Sequence, residues 1–173
     1  IGLVNALLVI RGKLSSMIVT LGGLFFYRGL IYVTTHGAVT GVPQAARENW
    51  LAQLLGGRWL RVENELVLLL LLAILSTVLL GQTRFGSHLL AVGGDPASAE
   101  SQGVSVNWVK TLAFCLCSLF AGLAAIVTLT NQPQTNVSLG SGMELESIAA
   151  VVVGGTLLTG VRGTILGTVL GAF

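Results

Sequence analysis

The chain has 173 residues, of which 53% are hydrophobic and only 9% are charged, and its formal net charge is +2. Soluble domains carry about 25% charged residues, so this composition leaves too few charges to cover a water-soluble globule. The mean hydropathy of +0.87 indicates a membrane protein instead. The small net charge, with no basic tract, excludes a nucleic-acid-binding surface.

Five apolar segments follow one another along the chain. A helix needs roughly 20 apolar residues to cross a bilayer, and these runs are continuous and leucine-rich, whereas barrel strands alternate. We therefore predict an all-α, polytopic transmembrane helical bundle in a single domain over residues 1–173, embedded in membrane lipid. The predicted spans are about 1–10 (partial), 14–35, 65–81, 109–130 and 147–173 (interrupted). Because the chain opens and closes inside apolar runs, we expect a fragment of a longer protein, truncated at both ends.

The loops suggest an orientation. If loop 82–108 is cytoplasmic, the basic residues at 11–13 and Arg162 are cytoplasmic too, and the 131–146 loop, without Lys or Arg, lies outside. This agrees with the positive-inside rule. The three arginines of the polar region 36–64 would lie outside and oppose it.

Within that polar region, residues 45–55 predict a short amphipathic helix lying on the membrane surface.

The last segment is rich in glycine. Glycines at four-residue spacing leave a helix stripe that another backbone can approach closely, and a broken helix at membrane depth is tolerated where it is buried or lines a water-filled path. We predict a Gly-rich broken-helix segment near the C-terminal end and leave open whether each glycine serves helix packing or pathway lining. The glycines are Gly154, Gly155, Gly160, Gly163, Gly167 and Gly171.

A short capped helix is predicted inside loop 82–108. Asp95 is a favourable N-cap and Pro96 a favourable first helical residue, so the pattern predicts a helix over 96–102 that ends at Gly103. Such a helix could be an ordinary connector or could dock in a groove of a partner protein.

At this loop the sequence resembles a known family. VGGDPASA at 92–99, followed by GVSV at 103–106, is similar to the cytoplasmic coupling loop of ribose/xylose-type permeases of ATP-binding-cassette importers. The resemblance continues in MIVTLG at 17–22 with YRGL at 27–30, and in AGLA at 121–124 after Phe114 and Leu119. It extends into ESIAAVVVGGT at 146–156 with the glycines that follow.

The resemblance implies a permease subunit that imports a monosaccharide, a pentose or a hexose, across the bacterial inner membrane. It implies an ATPase subunit bound to the 91–104 loop, a second permease copy or paralogue, and a periplasmic sugar-binding protein. The expected coupling residues are Gly93, Gly94, Asp95, Pro96, Ala97, Ala99 and Gly103. A neutral sugar needs hydrogen-bonding groups rather than charges, so hydroxyl residues of the spans, such as Thr20 and Thr128, are candidates for the pathway.

Other classes of protein fit less well. A branched-chain amino acid permease of the same superfamily shares much of the pattern and stays open as an alternative, as does a non-transport integral membrane protein. We expect no catalytic residue and no cofactor, and ATP hydrolysis on a partner, since the chain lacks a Walker-type motif. His36 and His88 stand apart from acids and cysteines, so no metal site is expected. Cys115 and Cys117 are expected to be inert membrane-buried thiols.

Overall fold

The computed structural model of the chain describes residues 1–41, 43, 58–59, 62–132, 134–157, 160 and 163–172. Eight helices lie within these ranges, which confirms the predicted all-α class: α1 Gly2–Gly12, α2 Ser16–Thr35, α3 Asn64–Gln82, α4 Arg84–Gly94, α5 Pro96–Ser101, α6 Val106–Asn131, α7 Met143–Val153 and α8 Ile165–Gly171. Four two-residue strands accompany them: β1 Thr40–Gly41, β2 Arg58–Trp59, β3 Val62–Glu63 and β4 Gln134–Thr135. The surface helix predicted for 45–55 lies outside the described residues.

Three helices of the described chain are long and apolar enough to cross a membrane: α2, α3 and α6, with 20, 19 and 26 residues. At 1.5 Å per residue they extend about 28 to 39 Å, which matches a hydrocarbon core of about 30 Å. They overlap the second, third and fourth predicted spans. Many large apolar side chains on them are exposed, among them Phe25, Leu70 and Leu119, as a lipid-facing surface requires.

The first compact unit comprises residues 1–67 and 111–139. In it α1 packs on α2, and the start of α1 lies against α6. A Cβ atom at Gly2 would be 2.6 Å from the carbonyl oxygen of Phe114. Only glycine allows this approach of the two helices.

Polar contacts join the ends of the helices in the first unit. β1 pairs antiparallel with β4, with Thr40 opposite Thr135. The side-chain amide of Asn131, at the end of α6, donates a hydrogen bond to the Glu65 carboxylate at the start of α3. These bonds connect segments that are far apart in the chain.

The second compact unit comprises residues 68–110 and 140–173. The chain forms α4 where the sequence predicts a loop, so that prediction is wrong for residues 84–94. The Thr83 hydroxyl caps α4 by accepting a hydrogen bond from the Gly86 amide at 3.3 Å. Phe85, Leu89 and Val92 recur at helical spacing and pack inward, so burial of this stripe stabilises the helix.

The predicted interruption of the last segment lies between α7 and α8. Residues 154–157, 160 and 163–164 are non-helical, and α7 and α8 pack against each other. Two acidic residues, Glu144 and Glu146, lie in the first turn of α7, where the helix dipole favours negative charge.

Candidate functional site: a capped turn and a glycine-lined helix pair

The first part of the candidate site is the capped turn, defined here as residues 95–103, which contains α5. Asp95 is extended, with φ −147° and ψ 101°, and its carboxylate accepts a hydrogen bond from the Ala97 amide at 3.0 Å. The Ser98 hydroxyl donates a second hydrogen bond to the same carboxylate, and Pro96 occupies the first helical position. The predicted N-cap is confirmed.

Helix α5 ends at Ser101, one residue earlier than the sequence predicts. Its last carbonyl groups accept hydrogen bonds from the amides that follow: Gly103 donates to Glu100 at 3.0 Å and Val104 to Ala99 at 3.1 Å. Gly103 has φ +83°, a left-handed conformation that glycine adopts without steric cost. The chain then enters α6 at Val106.

The inner face of the capped turn is held by an apolar cluster. Ala99 is 3% exposed and packs with Val92 of α4 and Val109 of α6. Partly buried side chains of both helices, including Phe85 and Val106, surround these three residues. The capped turn is therefore anchored to α4 and α6.

The outer face of the capped turn carries small and polar side chains. Pro96, Ala97, Ser98 and Glu100 are exposed, and so is Asp95. We call this set of five residues the outer surface. Its small side chains leave the backbone of α5 open to close approach by a partner.

The coupling residues predicted from the sequence therefore divide into two groups. Asp95, Pro96 and Ala97 lie on the outer surface, and Gly94 and Gly103 are exposed at its two ends. Two others point away from solvent: Ala99 belongs to the apolar cluster, and the half-buried Gly93 lies against Gly160.

Hydrogen bonds lower the pKa of the Asp95 carboxyl below its usual value. The largest cause is the Ser98 hydroxyl, followed by the backbone amides of Ser98 and Ala97. Each of these donors stabilises the ionised form. Asp95 is therefore an anion at neutral pH and presents negative charge at the start of α5, where the helix dipole favours it.

The second part of the candidate site is the glycine-lined pair of helices α7 and α8. Gly154 follows α7 and lies directly against the backbone of Gly167 in α8. A Cβ atom at Gly171 would be 2.7 Å from the amide nitrogen of Gly154 and would also meet the Ala150 carbonyl oxygen. Backbone contacts backbone along this line, which is how small residues bring helices together in membranes. These contacts support packing for Gly154, Gly167 and Gly171.

The other three glycines lie in the connection between α7 and α8. Gly155 and Gly160 have φ +80° and +81°, which side-chain-bearing residues rarely adopt. A Cβ atom at Gly163 would be 2.7 Å from the Thr156 methyl carbon. Gly160 approaches the end of α4, where a Cβ atom on Gly93 would be 2.6 Å from the Gly160 carbonyl oxygen.

The two threonines predicted for the pathway donate to the backbone of their own helices. The Thr20 hydroxyl donates to the Ser16 carbonyl at 2.9 Å, and the Thr128 hydroxyl donates to the Ala124 carbonyl at 2.9 Å. Such bonds satisfy the hydroxyl donor inside an apolar span. Each oxygen keeps lone-pair capacity to accept a hydrogen bond, so a pathway role for these residues is still a proposal.

Comparison with known proteins identifies the family. A family model described as "Branched-chain amino acid transport system / permease component" matches residues 1–173. The chain belongs to this permease family. Its members are transport permeases, and the chain is accordingly part of an integral membrane protein.

The curated relatives to which this permease chain is similar include import permeases of two kinds. Ribose import permease protein RbsC of Escherichia coli K12 is 35% identical over 176 residues, covering 99% of this chain and 54% of that protein. The RbsC protein of Bacillus subtilis is 35% identical over 169 residues, covering 96% and 51%. The autoinducer 2 import system permease protein LsrC of Klebsiella pneumoniae is 39% identical over 173 residues, covering 99% and 49%.

The permease chain thus spans about half the length of the curated relatives it matches. No solved structure matches it.

Proposed function

We propose that this chain is part of the membrane-spanning subunit of an ATP-driven importer that carries a monosaccharide, a pentose or a hexose. The observation that carries the proposal is the capped turn, with its fixed inner face and open outer surface, in a chain 35% identical to ribose import permeases. The spans hold hydroxyl groups and few charges, which suits a neutral polyol. ATP is hydrolysed by a separate subunit, and we expect no catalytic residue in this chain.

The outer surface is the proposed contact with that ATPase subunit. A segment that transmits force from a partner to the spans must be exposed to the partner on one side and packed against the rest of the chain on the other. Ala97 is exposed, while Ala99, two residues later, is buried against Val92 and Val109. Docking at Ala97 would therefore move α4 and α6 together with the turn.

The proposal implies further partners. A second copy of the permease, or a paralogue, completes the pathway, and a periplasmic binding protein delivers the sugar. The assembly lies in the bacterial inner membrane, with the capped turn on the cytoplasmic side. Alternating access then follows from differential binding of the ATPase to two arrangements of the spans.

Transport of labelled substrates tests the proposal. The intact protein is reconstituted in vesicles with its ATPase and its periplasmic binding protein, and the uptake of ribose, xylose, glucose and leucine is compared with and without ATP. We expect ATP-dependent uptake of a pentose or hexose. Uptake of leucine without sugar would instead support the branched-chain amino acid transport named in the family description and would overturn the sugar assignment.

A pair of variants tests the docking surface separately. Ala97→Arg places a long cation on the outer surface, while Ser141→Arg places the same side chain on an exposed residue of another loop. We expect Ala97→Arg to insert in the membrane normally but to lose the ATPase subunit during purification, and Ser141→Arg to retain it. Equal retention of the ATPase by the two variants would contradict the assignment of the surface.

A further inference from the structure

We propose that Gly93 and Gly160 are positioning residues that join the capped turn to the connection between α7 and α8, so that a force applied at the turn reaches this helix pair. The proposal rests on the proposed function, because it assumes that an ATPase acts on the outer surface.

The joint is a contact of backbone on backbone. A Cβ atom on Gly93 would lie 2.6 Å from the Gly160 carbonyl oxygen and 3.0 Å from its carbonyl carbon, and one on Gly160 would lie 3.3 Å from the Gly93 Cα atom. A backbone contact has no flexible side-chain end that can move aside. Displacement of either segment therefore pushes directly on the other, since packed interiors have low compressibility.

The position of the joint connects it to both parts of the site. Gly93 directly follows Val92, which packs with Ala99 of α5, so the joint is one residue from the anchor of the capped turn. On the other side, Gly160 lies in the connection between α7 and α8, whose packing is fixed by Gly154 and Gly167. Packed contacts thus lead from α5 through α4 to Gly160, which lies in the connection between α7 and α8.

The φ angle of Gly160 adds a second requirement. At +81° the residue turns the chain so that its carbonyl oxygen faces Gly93, and the Gly160 amide donates to the Leu157 carbonyl at 2.9 Å. An alanine at this position would meet both the Gly93 backbone and an unfavourable φ. A control for Gly160 must therefore carry the same strain without the contact.

The chain offers matched controls for both residues. Gly81 is helical like Gly93, but a Cβ atom there would meet nothing within 4 Å; Gly142 has φ +92° and likewise meets nothing within 4 Å. Gly93→Ala is therefore compared with Gly81→Ala, and Gly160→Ala with Gly142→Ala.

The experiment measures ATP hydrolysis by the complete reconstituted importer as the sugar-loaded binding protein is titrated. We expect Gly93→Ala and Gly160→Ala to retain the ATPase subunit. The concentration of loaded binding protein that gives half-maximal stimulation should be unchanged in both variants. The maximal stimulation should fall about three- to tenfold, which lies within the range over which substitutions between two sites modulate coupling. The two control variants should behave as the unsubstituted protein.

The double variant Gly93→Ala/Gly160→Ala should lose less than the product of the two single losses, because both substitutions disturb one contact. Independent losses in the double variant, or a Gly93→Ala variant that matches Gly81→Ala, would overturn the proposal. So would a decrease in folded yield that accounts for the whole loss of stimulation. If the unsubstituted importer shows no ATP-dependent sugar uptake, the proposed function fails. If uptake is normal but the glycine substitutions do not change the stimulation, only the proposed role of Gly93 and Gly160 fails.

Discussion

The Ser98 hydroxyl donates a hydrogen bond to the Asp95 carboxylate, which also accepts one from the Ala97 amide. The Asp95 side chain thus caps the first turn of α5, a helix of six residues. A helix this short is not stable by itself, so the cap and the buried Ala99 hold it in place.

Removal of the cap should weaken docking. Asp95→Ala leaves the Ala97 amide without its partner, and we expect about fivefold weaker binding of the ATPase, the equivalent of one lost N-cap. Asp95→Asn and Asp95→Ser keep an acceptor oxygen and should retain most of the affinity. Binding measured by microscale thermophoresis on the intact permease distinguishes these variants. Equal weakening by Asp95→Asn would assign the effect to the charge rather than the cap.

The stability of the capped turn should fall in acid but stay constant around neutral pH. The pKa of Asp95 is lowered by the Ser98 hydroxyl and the adjacent amides, so the ionised form stabilises the folded turn. A depressed carboxyl pKa gives stability that is fully present above the unfolded value of about 3.9 and is lost as pH falls through the folded value. We therefore expect no change in the stability of the capped turn between about pH 6 and pH 8.

An NMR titration of the Asp95 carboxyl carbon measures this pKa directly. Ser98→Ala removes the largest cause of the shift and should raise the pKa toward the usual value. A carboxyl that titrates at or above the usual value in the unsubstituted protein would contradict the cap geometry.

Local sequence chemistry was sufficient to predict the cap. Asp95, Pro96 and Gly103 each favour one backbone position, and all three occupy it in the structure. The same chemistry missed α4, although Thr83 and the stripe of Phe85, Leu89 and Val92 were visible in the sequence. The moderate polarity of residues 82–108 favoured a loop, and the burial of the stripe outweighed it.

Tertiary contacts could not be predicted from local chemistry. The spacing of Gly163, Gly167 and Gly171 indicated a stripe, but the sequence does not identify the backbone that the stripe meets. Gly154 and Ala150 become its partners only when α8 folds back on α7. The contact of Gly93 with Gly160 likewise joins residues that are distant in sequence. The sequence marked both glycines as notable but did not pair them.

Two alanines of the capped turn should differ sharply in their effect on stability. Ala99 is 3% exposed in the apolar cluster, so Ala99→Leu overpacks it and should lower the free energy of unfolding by about 1–3 kcal/mol. Ala97 is exposed, so Ala97→Leu should change this free energy by no more than about 0.5 kcal/mol. Denaturation of the purified permease in detergent provides the comparison. Similar values for the two variants would show that the turn is not anchored through Ala99.

Helix packing through glycine should be equally selective. Gly167→Ala drives a Cβ atom into the Gly154 backbone and should destabilise the protein by about 1–3 kcal/mol. Gly22→Ala, in the middle of α2, meets nothing within 4 Å and should be neutral or stabilising by up to about 1 kcal/mol, because alanine favours helix more than glycine. Thermal unfolding monitored by fluorescence-detected size-exclusion chromatography separates the two cases. A stable Gly167→Ala variant would be incompatible with close packing of α7 on α8.

Site-directed labelling and cross-linking of Ala97→Cys test most directly whether the outer surface of the capped turn meets an ATPase in the cytoplasm. The native thiols, which in this chain are Cys115 and Cys117, are first replaced by alanine so that the introduced thiol is the single reactive group. We expect a membrane-impermeant maleimide to label Ala97→Cys in inside-out vesicles but not in intact cells, and a short bifunctional reagent to link it to the ATPase subunit. Labelling from the outside of intact cells, without a link to the ATPase, would contradict the account.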